Sequence, residues 1–243
     1  MKELDFLLSN GLARATQWLC REGALRSAAS GFCAAPSREV RLIVAGLTGS
    51  ISMGKSTVAS MFRELGIPVF DADAAVRDFY SGDGAMAIEE MFPGVLIGDR
   101  IDRERLSRHV LHDPAALKRL ERFVHPVVFA ARARFVEQAA SKGRRLVMVD
   151  VPLLFETGSD SAVDLIVVVS APEHLQRRRA LAREGMTETK FNAIVSQQMS
   201  DSEKRRRAHF IIDTSRDFEL TRAQIGQFIR AASGMEGRED LYA

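Results

Sequence analysis

Apolar positions along the chain fall into two rhythms. Continuous apolar runs occur at Arg41–Leu47, Ile67–Phe70, Leu146–Val151, Leu165–Val169 and Phe210–Ile212. They are too short for helices and mostly β-branched or aliphatic, so they predict strands buried on both faces. Between them the apolar spacing is helical, first from about Lys55 to Leu65. Strands alternating with helices predict an α/β chain: a parallel sheet with right-handed crossovers.

Two connections are longer than one crossover helix. Residues 74–145 have room for several helices: Asp113-Pro114 has the form of a cap with proline at the first helical position, and Pro126 is expected to start a long helix through Ser141. About 75–144 is therefore the candidate helical substrate insertion. Residues 172–208 are helical in pattern and dense in arginine, which suits a mobile cover over an anionic ligand, a lid. The expected organisation is an N-terminal extension over 1–40 and one domain over 41–243.

The first strand runs into GLTGSISMGKST, residues 46–57, which contains G-x-x-x-x-G-K-S between a strand and a helix. In that pattern backbone N–H groups wrap a phosphate, the helix offers its positive N-terminus, the lysine reaches the β- and γ-phosphates, and the serine ligates Mg²⁺. The expected ATP-binding set is Gly49, Ser50, Ile51, Ser52, Met53, Gly54, Lys55, Ser56 and Thr57. A turn that merely joins strand to helix leaves Lys-Ser-Thr unexplained. Serines at 50 and 52 stand where such a loop favours glycine, and a serine at positive φ costs about 1–2 kcal/mol. Several charge-assisted bonds to phosphate exceed that, so both serines are expected to perturb the loop without abolishing it.

The second strand ends in Asp71-Ala-Asp73, and carboxyl ends of parallel strands border the ligand crevice. A carboxylate there can take the proton of an attacking hydroxyl; capping the next helix is the compatible plainer role for Asp71. Asp150 ends the third run and can hold Mg²⁺ through water, with Asp71 as a weaker competitor. Arg177–Arg179 and Lys204–Arg207 read first as solvated helix faces; adenine-side or phosphate contacts are the functional alternative, ahead of a nucleic-acid patch.

Taken in order, GLTGSISMGKST, VFDADAAVR (69–77), HP (125–126), DVPLLFE (150–156), AREGMT (182–187) and QMSDSEKRRRAHFIID (198–213) resemble the dephospho-coenzyme A kinases over about Arg41 to Ser233. The resemblance implies a three-layer P-loop kinase with a five-stranded parallel sheet, an inserted helical CoA-binding subdomain and a helical lid. It implies transfer of the ATP γ-phosphate to the ribose 3′-hydroxyl of dephospho-CoA, the last step of coenzyme A synthesis, with Mg²⁺. By position it makes Asp73 the base, Lys55 and the lid residue Arg183 catalytic, and Arg179, one helical turn earlier on the same face, an ATP contact. Arg77, His125 and Leu153 fall on the substrate side. Ser52, the ending IIDTSRD (211–217) and residues 1–40 depart from the family pattern and bear on ATP affinity, the base contact and localisation respectively.

Composition narrows the alternatives. With 34 Lys plus Arg against 32 Asp plus Glu, a net charge of +2 gives no reason to expect nucleic-acid binding. Both cysteines, Cys20 and Cys33, precede residue 41, so the body of the chain carries neither a disulfide framework nor a thiolate metal site. No apolar run reaches the ~18–20 residues of a membrane span, so no membrane partner is expected. A cytoplasmic location is expected; the Ala-, Ser- and Arg-rich stretch 12–38 makes organellar targeting the alternative, weakened by Glu3, Asp5, Glu22 and Glu39. A GTP switch is disfavoured because Asn10 and Asn192 are not followed by lysine. A P-loop kinase for another hydroxyl or nucleotide acceptor, or an inactive ATP-binding regulator, are the remaining competitors.

Overall fold

The computed structural model describes residues 41–111 and 113–235. The expectations for residues 1–40 lie outside them. Five strands, β1 (Ile43–Thr48), β2 (Val69–Asp71), β5 (Leu146–Asp150), β6 (Leu165–Ser170) and β7 (Phe210–Asp213), form one sheet in the order β2-β5-β1-β6-β7, every neighbouring pair parallel. Two side-chain layers cover it. On one face Ile43, Ala45 and Leu47 pack with Val58, Ala59 and Phe62 of α1 (Lys55–Glu64) and with Ile225 and Phe228 of α9 (Phe218–Ala232). Phe62 and Phe228 meet edge to face at 5.9 Å. On the other, Val44, Val147, Val149 and Val168 pack under Leu154, Phe155 and Ala139. Both faces being covered is why the strands are apolar throughout rather than alternating.

Register aligns the sheet's carboxyl ends: Leu47 lies opposite Asp150, and Asp150 opposite Asp71. The candidate acidic residues thus share one edge. Gly49 follows β1 so closely against β6 that a Cβ would come within 2.6 Å of the Val169 carbonyl oxygen, which admits no other residue there.

Between β2 and β5 the chain forms α2 (Ala72–Tyr80), α3 (Ala85–Met91), α4 (Arg103–Val110) and α5 (Pro114–Ser141), around a separate core of Val76, Ile88, Phe92, Leu106, Leu120 and Val124. Sequence pattern missed the hairpin of β3 (Leu96–Ile97) and β4 (Arg100–Ile101), whose two-residue strands carry no periodic signal. The carboxylate of Glu89 braces it by accepting the Gly94 and Leu96 N–H groups at 2.7 Å each, which holds its pKa below the usual value. A carboxyl group depressed in the folded state contributes stability above its unfolded pKa and loses it as pH falls through the folded one. The Gly94 and Leu96 amide resonances are therefore expected to titrate together, with a midpoint below the usual Glu value of 4.5. Glu89→Gln should abolish that titration.

One expectation needs correction. Pro126 does not start a helix; it lies inside the 28-residue α5, which Asp113 caps by accepting the Ala115 and Ala116 N–H groups. Proline has no N–H for the carbonyl four residues back, so the α5 ladder lacks its bond to Arg122. Packing on both sides outweighs the local preference: Leu120 and Val124 sit in the insertion's core, whereas Phe135 and Ala139 sit against the sheet.

Candidate active site

The loop after β1 carries its chemistry on backbone groups. α1 begins at Lys55 behind Gly54, which is left-handed at φ 95° and offers no side-chain cap. The N–H groups of Ser52, Gly54, Lys55 and Ser56 donate to no acceptor among the described residues. Unsatisfied N–H groups at a helix N-terminus form an anion site. Lys55 Nζ is ion-paired with Asp150 Oδ1, so the lysine rests on the carboxylate at the end of β5. Ser56 and Thr57 are exposed at the helix start. Met53 is instead buried, its Sδ accepting the Ala171 N–H at 3.2 Å.

The two loop serines differ. Ser52 has φ 61° and is the only non-glycine with positive φ among the described residues; its hydroxyl oxygen is buried without a hydrogen bond. Ser50 is buried at ordinary φ, so its expected strain is absent. Relief of roughly 1–2 kcal/mol of steric cost, less about 0.5–1 kcal/mol for the freer unfolded glycine chain, leaves Ser52→Gly stabilising by about 0.5–1 kcal/mol. Denaturant unfolding measures this directly.

Asp71 takes its capping role: its Oδ1 accepts the Ala74 N–H at 2.9 Å, and Oδ2 lies 3.8 Å from Arg63. Asp150 by contrast already faces a cation, Lys55, and makes no helix-capping bond. Asp73 stands in the first turn of α2 and Arg77 one turn on, exposed. A cavity of about 670 Å³ opens on the other face of α2, lined by Asp71, Ala74, Asp78, Phe79, Arg134 and Phe135 among others. It does not include Asp73, Arg77 or the phosphate loop. His125 is half-buried on α5, and Leu153 is buried in the segment after β5.

Between β6 and β7 stand α6 (Glu173–Leu181), α7 (Glu188–Ser196) and α8 (Asp201–Arg207). Arg179 donates to Thr214 Oγ1 at 3.0 Å and to the Thr214 carbonyl at 2.6 Å, while Thr214 Oγ1 donates to the Met53 carbonyl at 2.7 Å. Arg179 is thereby fixed beside the phosphate loop through the segment that departs from the family pattern. α6 ends at Leu181, and Arg183 is exposed in the turn beyond it, its N–H donating to the Ala180 carbonyl at 3.0 Å. Arg177 makes a two-bond pair with Glu188, both at 2.7 Å, which raises its pKa, and Arg178 is exposed.

In Lys204–Arg207 the three arginines are exposed, as a solvated face would be, but Lys204 is not. Lys204 is 0% exposed, with Nζ 2.9 Å from Glu156 Oε1. The contact has ion-pair range without hydrogen-bond alignment, since Nζ donates to nothing. Arg205 donates to Ser170 Oγ, Arg206 pairs with Glu203, and Arg207 bonds Asp160 and lies 4.5 Å over the Phe155 ring. The run pins α8 to the sheet and to the segment after β5.

Gln176 and Gln198, which grip the phosphate loop at Ile51, were missed by sequence reasoning. No spacing rule connects residues more than 120 positions from their partner.

Among the described residues, no helix is long and apolar enough to cross a membrane, and no three His, Cys, Asp or Glu residues cluster to hold a metal. A family model for dephospho-CoA kinase matches residues 43–219. The dephospho-CoA kinase of Rhodopseudomonas palustris is 50% identical over 199 residues, spanning 82% of this chain and 100% of that protein. That of Nitrobacter winogradskyi is 48% identical over 197 residues, spanning 81% and 99%. A solved structure from Thermus thermophilus matches with a TM-score of 0.67 at 34% identity, covering 79% of this chain and 97% of that one. The dephospho-CoA kinase of Campylobacter jejuni matches at 0.57 and 23%, covering 79% and 98%, and bears on the fold alone.

Proposed function

The chain belongs to the dephospho-CoA kinase family and performs ATP-dependent phosphorylation of dephospho-CoA in coenzyme A biosynthesis; on that premise we propose how its own residues do so. The loop Gly49–Thr57 holds the ATP phosphates on its backbone N–H groups. Lys55 leaves Asp150 for the β- and γ-oxygens, and Arg183 offsets the charge that spreads over the transferring group. Arg179, held by Thr214, flanks the nucleotide. Asp73 accepts the proton of the ribose 3′-hydroxyl as that oxygen attacks, with Arg77, His125 and Leu153 on the acceptor side.

The donor chemistry fits Mg²⁺: an exposed hydroxyl at Ser56 and a carboxylate at Asp150 that already balances a cation. Ser56 and Asp150 would hold Mg²⁺ together with the substrate phosphates, and the ion would supply charge neutralisation at the transferring group. Asp71, engaged with Ala74 and Arg63, is the weaker candidate. The site faces solvent-borne ATP and dephospho-CoA, with no role for nucleic acid or a membrane, and we place the enzyme in the cytoplasm.

The observation that carries this reading is the set of free N–H groups around Lys55, at the strand ends that also present Asp150 and Asp73. The test offers ATP with dephospho-CoA, pantetheine derivatives and nucleoside monophosphates in turn. Preferential phosphorylation of dephospho-CoA is expected. Preference for a monophosphate would overturn the acceptor assignment, and ATP binding without turnover of any acceptor would favour an inactive regulator.

A further inference from the structure

A residue held at positive φ against its own sterics persists only where its surroundings over-determine it. Ser52 is such a residue, and the peptide groups around it are tied one by one. The Ser50–Ile51 peptide donates its N–H to Gln198 Oε1 at 3.0 Å. The Ile51–Ser52 peptide, which fixes one side of the Ser52 φ rotation, accepts at its carbonyl from Gln176 Nε2 at 3.0 Å. The Ser52–Met53 peptide donates to the Ser50 carbonyl at 3.2 Å, and the Met53–Gly54 peptide accepts from Thr214 Oγ1. The two ties on Ile51 are glutamines from the arginine-dense segment between β6 and β7, one on α6 and one just past α7. Gln176 is 5% exposed, so its amide is committed to this contact. Their polarity is complementary, one giving an acceptor to N–H and the other a donor to C=O of the same residue.

We propose that Gln176 and Gln198 are positioning residues that hold the phosphate loop in its ATP-ready shape against the strain at Ser52. The inference rests on the assignment of this loop as the ATP site. Neither glutamine touches the phosphates; both act through the Ile51 peptide groups, leaving the Ser52 and Gly54 N–H groups for ligand. A glycine at position 52 would adopt φ near 60° with little cost, and the clamp would then have little to hold. The clamp and Ser52 are consequently coupled, and the coupling is measurable.

The experiment is a double-mutant cycle on the full chain, with ATP affinity read by calorimetry and KM and kcat read with dephospho-CoA. The proteins are wild type, Gln176→Met, Ser52→Gly and the double variant, with Gln198→Met as a parallel arm. Methionine keeps the volume and removes the bond. Each single clamp variant is expected to weaken ATP binding by about three- to tenfold, the worth of one ordinary hydrogen bond, with a smaller fall in kcat. In the Ser52→Gly background the same substitution should change affinity by less than about twofold. Equal losses in both backgrounds, or no loss in either, would overturn the proposal. If Gln176→Met does not fold, the half-buried Gln198 gives the same cycle. Because calorimetry needs no turnover, a parent that binds ATP without phosphorylating dephospho-CoA refutes the acceptor assignment and still reads the clamp, whereas a parent that binds no ATP refutes both.

Discussion

Asp73→Asn is expected to lower kcat by about 10²–10⁴-fold while leaving ATP affinity nearly unchanged. Asparagine keeps the shape and the polar surface of the side chain and removes its capacity to take a proton. Asp73 is in the first turn of α2, where a carboxylate also favours the helix dipole, so the same substitution should cost only about 0.3–1 kcal/mol in stability. Folding and chemistry therefore separate: a nearly unchanged unfolding curve beside a collapsed turnover assigns the loss to proton transfer. ATP affinity is insulated because the loop's free N–H groups belong to a different element. Full activity in Asp73→Asn would remove the residue from this role.

Glu156→Gln is expected to destabilise the protein by about 3–5 kcal/mol, the range for removing one partner of a buried ion pair. For a chain of this size that corresponds to a fall in Tm of roughly 6–20 °C. The substitution is selective. Gln can keep the bond by which Oε1 accepts the Met199 N–H at 2.8 Å, so what is lost is the charge facing Lys204. The stranded ammonium is then fully buried with no donor bond made, which is the more costly half of the pair to leave alone. Glu156→Gln with Lys204→Met should recover much of the loss, since an apolar replacement of both partners is often neutral or better. A single variant within about 1 kcal/mol of wild type would show that the pair is well hydrated.

The sheet was legible in the sequence because each strand is covered on both faces and so appears as an uninterrupted apolar run; Ile43–Thr48 and Leu165–Ser170 are the clearest cases. The phosphate loop was legible because its requirements are local: Gly49 and Gly54 serve the backbone and Lys55 follows directly. Within Lys204–Arg207 the burial of Lys204 was not legible, because four consecutive cations carry no sign of the partners, Glu156, Ser170 and Asp160, that the fold brings to them. The grip on Ile51 had no local signature at all, since it is made by amide groups on elements that come near the loop only through the β1–β6 pairing.

The missing amide bond at Pro126 has a mechanical consequence. α5 is a single shaft that runs through both the insertion's core and the layer beneath the sheet, with Val128 touching each. Bending a helix costs least where a rung of its ladder is already absent, and here that rung falls at the boundary between the two cores. The two cores are thus joined along α5 through one turn of helix that lacks a rung, and the leverage of any change of angle there grows with distance along the helix.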